Sequence, residues 1–136
     1  VASEIERMRG VASKVARTNS PGFGHTAARL RETLGCLERA TEHMLDVVKS
    51  NPSDALAGAT PYLRLFGLAA GATALAEKAL AAREDSMAGS TDEAHVQRIA
   101  TARFFAEHLA TAAPGLETSV TTGAESVTDV MLQLAS

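Results

Sequence analysis

Apolar residues recur at intervals of three and four along most of the chain, which is the spacing of one face of an α-helix. The first such segment covers about residues 3–18, and its stripe consists of Ile5, Met8, Ala12 and Val15. Ser3 and Glu6 have the spacing of a capping box at its start. The polar and glycine-containing residues 19–22 are predicted to end it.

A second segment, about residues 23–50, has the most regular pattern of the chain. Its apolar positions alternate by four and three over nearly four heptads, and they are Phe23, Ala27, Leu30, Leu34, Leu37, Thr41, Met44 and Val48. Charged residues occupy the opposite face. This pattern predicts the seam of an antiparallel bundle or coiled coil.

A third helix is predicted to begin with Asn51 as its N-cap and Pro52 as its first residue, and to end near Asp85. Pro61 lies within it and removes one backbone hydrogen bond. We therefore expect either a kink or a break with Thr60 as a new cap.

Residues 61–76 of this third segment are apolar nearly all round the helical wheel, and Arg64 is their only charge. A helix without a polar face is buried on most sides, so this segment is predicted to be the central helix. Gly67 and Gly71 leave a groove on one face, where another helix could approach closely.

Two further helices are predicted at about residues 90–113 and 116–135. Ser90 and Glu93 have capping-box spacing at the start of the fourth, and residues 114–115 end it. Gly123 is a candidate bend in the fifth. The apolar arc of the fourth contains Ile99, Ala102, Phe105, Ala106 and Leu109; Arg98 and Arg103 fall inside this arc, and Phe104 projects near the polar side.

No stretch alternates apolar and polar residues with the period of a strand. The expected fold is therefore all-α: a single domain over residues 1–136, built as an up-and-down bundle of four to five helices with a kinked central helix. The composition agrees, because 27 residues are alanine, the best helix former, and none is tryptophan.

The charge and the cysteine content exclude several classes of protein. A net charge of −3 argues against nucleic-acid binding, and no Lys or Arg follows Arg103, so the C-terminal end is acidic. Cys36 is the one cysteine, which excludes an internal disulfide. We find no signal peptide, and the apolar stretch 65–76 is short for a membrane span, so a cytoplasmic location is expected.

No motif of a catalytic, cofactor-binding or metal site is recognisable, so we assign no residue to any of these roles. The glycines of residues 21–24 faintly resemble a nucleotide loop, but no strand precedes them. Only Asp92 and His95 have the carboxylate–histidine spacing of a bundle metal site, and they occur once. A Ser/His/Asp arrangement stays open because its members meet only in space. The four histidines are expected at the surface or at an interface.

Three arginines within apolar surfaces, Arg64, Arg98 and Arg103, are more informative. Each either extends its stem over the core and keeps its guanidinium in water, or pairs with a carboxylate in this domain or across an interface. Neither alternative indicates catalysis. The candidate interface residues are Tyr62, Arg64, Phe66, Arg98, Arg103, Phe104 and Phe105.

Three stretches resemble the acyl-CoA dehydrogenase C-terminal-like domain. Residues 57–67 (AGATPYLRLFG) resemble its central signature, residues 99–108 (IATARFFAEH) its second, and residues 122–127 (TGAESV) its terminal one. The order and spacing agree over essentially the whole chain, although Phe105 stands where a Tyr is common. Proteins with this domain include the 3-methylmercaptopropionyl-CoA dehydrogenase group and related, mostly bacterial acyl-CoA dehydrogenases.

The resemblance implies a parent flavoprotein that introduces a double bond between C2 and C3 of an acyl-CoA and passes electrons to an electron-transfer flavoprotein. In that family the catalytic glutamate and most FAD contacts belong to preceding domains, so no catalytic residue is carried over and no FAD is expected on this segment. The implied partners are those flavin-binding domains and further copies in a homo-oligomer. The start of the chain without an initiator Met agrees with a segment of a longer protein.

The alternative hypothesis is a free-standing helical interaction or regulatory bundle without enzymatic activity, which self-associates through the seam of residues 23–48. An upstream reading frame with flavin-domain features would favour the dehydrogenase, and a frame that starts near Val1 would favour the interaction module.

Overall fold

In the computed structural model the chain folds into five α-helices, α1 (Ala2–Thr18), α2 (Thr26–Ser50), α3 (Pro52–Met87), α4 (Ala94–Phe104) and α5 (Ala113–Ala135). The structure describes the backbone of residues 1–136 and every side chain except that of Thr128. This backbone contains no strand, so the predicted all-α helical bundle is confirmed.

The connection between α1 and α2 is made by the residues that were predicted to break the helix. Asn19 adopts a left-handed conformation with φ 49° and ends α1, and a short 3₁₀ turn, Pro21–Phe23, leads into α2. The predicted capping box of Ser3 and Glu6 is wrong. Because α1 begins at Ala2, Ser3 lies inside the helix, where its hydroxyl cannot cap the first turn.

The predicted seam of α2 is confirmed over most of its length. Leu30, Leu34 and Leu37 are at most 1% exposed, and Thr41 is also buried. The seam ends earlier than its sequence pattern does, because Val48 is 54% exposed. The last turn of α2 therefore extends beyond the core.

Asn51 caps α3 as predicted, since its side-chain oxygen accepts a hydrogen bond from the backbone N–H of Asp54 at 3.4 Å. The alternative of a break at Pro61 is wrong, because α3 is continuous through it. Proline removes only one backbone bond, and the buried Gly58 and Leu65 on either side keep both flanking turns packed in the bundle. The kink at Pro61 stays a prediction.

α3 is the central helix, because it contacts α1, α2, α4 and α5. Within residues 61–76 the exposed positions, Leu63, Arg64, Gly67 and Ala74, lie on one side of the helix and the others are buried or partly buried, so the predicted burial on most sides is confirmed there. Leu65 and Ala69 are fully buried, whereas Leu56 is 78% and Leu63 is 69% exposed. Among the described helices, α3 alone is long and apolar enough to cross a membrane, but only 39% of its most apolar stretch is buried. An apolar face of α3 is thus left without a partner in this chain.

The fourth predicted helix is divided. α4 ends at Phe104, a π-helical turn (Phe105–Leu109) and a 3₁₀ turn (Ala110–Ala112) follow, and α5 begins at Ala113 with Pro114 in its first turn. Each change of helix type rotates the following side chains relative to the α-helical wheel. Leu109, which was predicted on the apolar arc, is therefore 46% exposed, while Ala110 and Ala113 are buried.

The predicted capping box at the start of the fourth helix is also wrong. Ser90 and Glu93 form no capping box, because α4 starts at Ala94, whose N–H is bonded instead by the Asp92 carboxylate at 3.0 Å. α5 is continuous from Ala113 to Ala135, and the bend at Gly123 stays a prediction.

Candidate interaction surfaces

The three aromatic candidates that lie partly inside the bundle hold its helices together. The Tyr62 hydroxyl is 2.8 Å from Oγ1 of Thr41 on α2, and the Tyr62 and Phe66 rings lie 6.4 Å apart between their centroids. Phe105 packs on Gly71, where an added Cβ would lie 3.3 Å from its ring. The space that Gly71 leaves is thus filled by the Phe105 side chain, and the expected close approach of another helix stays a prediction. Gly67 faces open space.

The three arginines take different positions. Arg64 and Arg98 are exposed, and neither forms an ion pair with any described side chain. Arg103 pairs with Glu107, with 3.0 Å between Nε and Oε1. Pairing within the domain is thus the outcome for Arg103, whereas Arg64 and Arg98 keep their charges in water.

The Arg103–Glu107 pair joins the end of α4 to the start of α2. The other carboxylate oxygen of Glu107 accepts a hydrogen bond from the backbone N–H of His25 at 3.0 Å, directly before α2. This bond, together with Arg103, lowers the pKa of Glu107 below its usual value. Gly24 makes the contact possible, because a Cβ there would lie 2.4 Å from Nε of Arg103.

The outer face of α4 is an exposed surface with an aromatic residue in it. Val96 is 71% and Phe104 is 58% exposed, and the Phe104 ring stacks on His108 with 4.7 Å between the centroids. A shallow cleft of about 580 Å³ lies beside them, with Arg103 and Ile99 in its wall. Exposed aromatic and arginine side chains around a cleft are typical of protein interfaces.

An ion pair between α2 and α5 lies beside the single cysteine. Nε of Arg39 on α2 lies 2.9 Å from Oε2 of Glu117 on α5, and this bond lowers the pKa of Glu117. Cys36 is 1% exposed beside this pair, and burial raises the pKa of its thiol to about 11. A buried thiol that stays protonated acts as a packing residue.

A Ser/His/Asp group does come together at the α3–α4 connection. Nδ1 of His95 lies 3.1 Å from Oγ of Ser86, and its Nε2 lies 3.7 Å from Oδ2 of Asp85. The second distance is beyond hydrogen-bond range, so the bond that orients the histidine of a catalytic triad is not formed. His95 is 4% exposed, which corrects the expectation that the histidines lie at the surface or an interface. It fastens the end of α3 to the first turn of α4.

The described residues offer no group of three or more His, Cys, Asp and Glu that could hold a metal ion. The glycine-containing turn before α2 does not fit a nucleotide phosphate. The space beside Gly24 is filled by Arg103 and by the Glu107 carboxylate, and a Cβ on Gly22 would already meet Ile99 at 3.4 Å. The contacts of this turn therefore support a structural role, the connection of α1 to the start of α2.

Sequence reasoning missed a basic cleft of about 680 Å³ between α1 and the second half of α3. Lys14 and Arg17 line it from α1, and Arg83 lines it from α3. The signal was present on α1, where these two cations are three residues apart and thus on one helix face. That Arg83 of α3 joins these two cations could not be predicted from the sequence, because it depends on how α1 and α3 pack against each other.

Comparison with known proteins gives one match. The model of the family described as "Acetyl-CoA dehydrogenase C-terminal like" matches residues 4–131. No curated protein and no solved structure matches the chain. The family match covers all three stretches on which the resemblance was based and includes α1 to α4 almost entirely.

Proposed function

The chain belongs to the acetyl-CoA dehydrogenase C-terminal-like family, and from this membership we propose that it is the C-terminal helical domain of a FAD-dependent acyl-CoA dehydrogenase. In the parent enzyme, FAD would accept hydride during α,β-dehydrogenation of an acyl-CoA thioester. We assign this chemistry to preceding domains, and we give this domain the roles of packing, oligomerisation and shaping of the substrate pocket. The observation that carries the proposal is the family match over residues 4–131.

We propose the outer face of α4 as the surface that docks on the flavin-binding domains. Phe104 and Val96 expose apolar area there that no helix of this chain covers. The Arg103–Glu107 pair fixes the position of this face relative to α2. Phe104 and His108, two residues of the resembling stretch 99–108, lie on this face. A flavin-binding body that covered Phe104 would therefore meet a rigid surface.

The test begins with the coding sequence upstream of Val1. If it encodes flavin-binding domains, the purified full-length product should bind FAD and be yellow, and addition of a suitable acyl-CoA should bleach it as the flavin is reduced. Residues 1–136 alone should remain colourless when titrated with FAD. A full-length product without flavin, or a reading frame that begins near Val1, would instead support the free-standing interaction module.

The docking face is tested in the same full-length enzyme. We expect the double change Val96→Ser and Phe104→Ser to loosen the domain, so that limited proteolysis releases it faster than from the unmodified enzyme. Leu56→Ser is the matched control, because Leu56 is 78% exposed near the start of α3, away from α4. Thermal unfolding of residues 1–136 with either change should be unaltered. Equal release rates for the two variants would refute this assignment of the face.

A further inference from the structure

A cleft of about 300 Å³ lies between the second half of α3 and α4, and is hereafter the α3–α4 cleft. Its lining consists of Leu75 and Lys78 from α3, and of Ala94, Gln97, Arg98 and Thr101 from α4. Gln97 and Arg98 precede Thr101 by four and three residues, so these three polar side chains lie on one face of α4. Lys78 adds a second cation from the other helix.

The four polar side chains of this cleft have no partner in the described part of the chain. Lys78 and Arg98 are exposed and form no ion pair there. The side chains of Gln97 and Thr101 form no hydrogen bond there either. Each of the four can donate hydrogen bonds, and two of them are cations. The cleft therefore brings together donors from two helices that no described group of the chain uses.

No carboxylate lines the α3–α4 cleft. In this respect it differs from the basic cleft between α1 and α3, where Glu77 and Glu84 lie among the cations, and from the cleft beside Phe104, which contains Glu107. Two like charges in one small cleft repel each other, and an anion between them replaces this repulsion by two attractions. The charge of the α3–α4 cleft is therefore suited to an anion.

The start of α4 contributes little to this attraction, although the positive end of the helix dipole lies at Ala94. The Asp92 carboxylate already accepts a hydrogen bond from the N–H of Ala94, and the N–H groups of His95 and Val96 bond backbone oxygens. Glu93 is exposed and lies outside the lining. An anion in the cleft would thus be bound by the side chains and not by the helix end.

The number of charges and donors favours a phosphate group over other anions. A phosphomonoester carries a charge of about −1.5 to −2 at neutral pH, which two cations can neutralise, and its oxygens accept several hydrogen bonds. The guanidinium of Arg98 presents paired N–H groups that match two of these oxygens. A carboxylate has a single charge and two oxygens, so it would leave one cation and at least one donor of the cleft without a partner.

We propose that the α3–α4 cleft binds a phosphate group, either as inorganic phosphate or as the phosphomonoester of a small metabolite. Lys78 and Arg98 neutralise the group from the two helices, and Gln97 and Thr101 donate hydrogen bonds to it. This site is separate from the α4 docking face, because neither Val96 nor Phe104 lines it. It does not depend on the dehydrogenase assignment.

A titration of the 136-residue chain with sodium phosphate, followed by the backbone amide chemical shifts in nuclear magnetic resonance spectra, tests the site. At constant ionic strength we expect saturable shifts at Lys78 and at residues 94–101. Acetate should bind about fivefold more weakly, because it has one charge instead of two. Shifts that never saturate, or acetate that binds as tightly as phosphate, would overturn the proposal.

Two pairs of substitutions distinguish the cleft from a general effect of net charge. Lys78→Gln with Arg98→Gln should abolish saturable phosphate binding and leave the thermal midpoint unaltered, since neither side chain has a partner in the fold. Lys14→Gln with Arg17→Gln is the matched control, because it removes two exposed, unpaired cations from the basic cleft between α1 and α3. Equal losses of phosphate binding in the two variants would show that no specific site exists.

Methyl phosphate and dimethyl phosphate identify the source of the phosphate group. If methyl phosphate binds more tightly than inorganic phosphate, the ligand is an organic phosphomonoester, and the reverse order assigns the cleft to inorganic phosphate. Dimethyl phosphate has one charge and should bind as weakly as acetate. Binding of either phosphate that persists in the variant with Lys78→Gln and Arg98→Gln would contradict the site. The FAD titration tests other residues, so the two proposals can fail separately.

Discussion

Glu107 is the residue whose protonation is most directly tied to the fold, because it bonds both Arg103 and the backbone N–H that precedes α2. Its pKa is lowered in the folded chain. A lowered pKa means that the carboxylate stabilises the fold above the pKa of the unfolded chain, about 4.3. That stabilisation is lost as the pH falls through the lower folded pKa.

We therefore expect Glu107→Gln to lower the free energy of unfolding at neutral pH and to flatten its fall in acid. Urea unfolding between about pH 3 and pH 7 measures both effects. Glu6→Gln is the control, because Glu6 is exposed on α1 and forms no ion pair with a described side chain. Parallel pH profiles for Glu107→Gln and the unmodified chain would exclude this role.

The turn before α2 requires glycine at position 24 for two reasons, the backbone conformation there and the lack of space for a side chain. The Gly24 φ of 51° with ψ of −126° is accessible mainly to glycine, and a Cβ would overlap Arg103 and Glu107. Gly24→Ala should cost about 1–3 kcal/mol from the backbone alone. Gly22→Ala in the same turn should change stability much less, since its Cβ would make an ordinary contact of 3.4 Å with Ile99. Thermal unfolding of both variants measures the two losses of stability. Equal losses would show that the backbone conformation and the space at Gly24 are not specifically required.

At the scale of elements, two glycines of α3 show how packing decides the effect of one substitution. A Cβ on Gly67 would meet nothing within 4 Å, whereas one on Gly58 would lie 3.1 Å from Sδ of Met44 and 3.3 Å from the backbone oxygen of Val120. Gly67→Ala should therefore add about 1 kcal/mol through helix propensity. Gly58→Ala should lower stability, because α5 would have to move. Chemical unfolding of the two variants measures both changes in stability. Higher stability of Gly58→Ala would show that α5 can move away at little energetic cost.

A comparison of α2 with α3 shows what the sequence could and could not predict about burial. The interval of apolar residues along α2 predicted the buried Leu30, Leu34 and Leu37, because one continuous stripe needs one facing surface. In α3 nearly every position is small or apolar, so the pattern contained no information about which side the neighbours occupy. The contact of Gly58 with Val120 of α5 was therefore not identified, nor was the exposed face that carries Leu56 and Leu63.

The positions of the candidate interface residues were also predicted only in part. Phe104 lies outside, as its position on the wheel indicated, and Phe105 next to it lies partly inside. The π-helical turn that begins at Phe105 then rotates Leu109 outward, which no α-helical wheel could show. The pairing of Arg103 with Glu107 follows from their spacing of four on one helix, whereas the bond from Glu107 to His25 depends on tertiary contact.

At the scale of the whole molecule, the small size of the core side chains explains why so much apolar surface remains outside. Alanine makes up much of the buried core, from Ala12 in α1 to Ala113 in α5. Alanine lets helices approach closely but removes little apolar area from water per residue. The larger apolar side chains at the end of α5 and on α4, such as Leu134 and Phe104, are then left on the surface.

The rate at which Cys36 reacts with a thiol reagent measures how readily the helix bundle opens. Cys36 is 1% exposed on α2, beside the ion pair to α5, and burial raises its pKa to about 11. Near pH 8 we expect a disulfide reagent to label it only in chains that have opened, so urea should accelerate labelling in step with unfolding followed by circular dichroism. A variant with Cys36→Ala and Ser53→Cys supplies an exposed thiol for comparison and should react at once. Because the folded pKa is the higher one, this thiol stabilises the fold fully below the unfolded pKa and loses that contribution as the pH rises towards 11. Rapid labelling of Cys36 without urea would mean that α5 separates from α2 while the remaining helices stay folded.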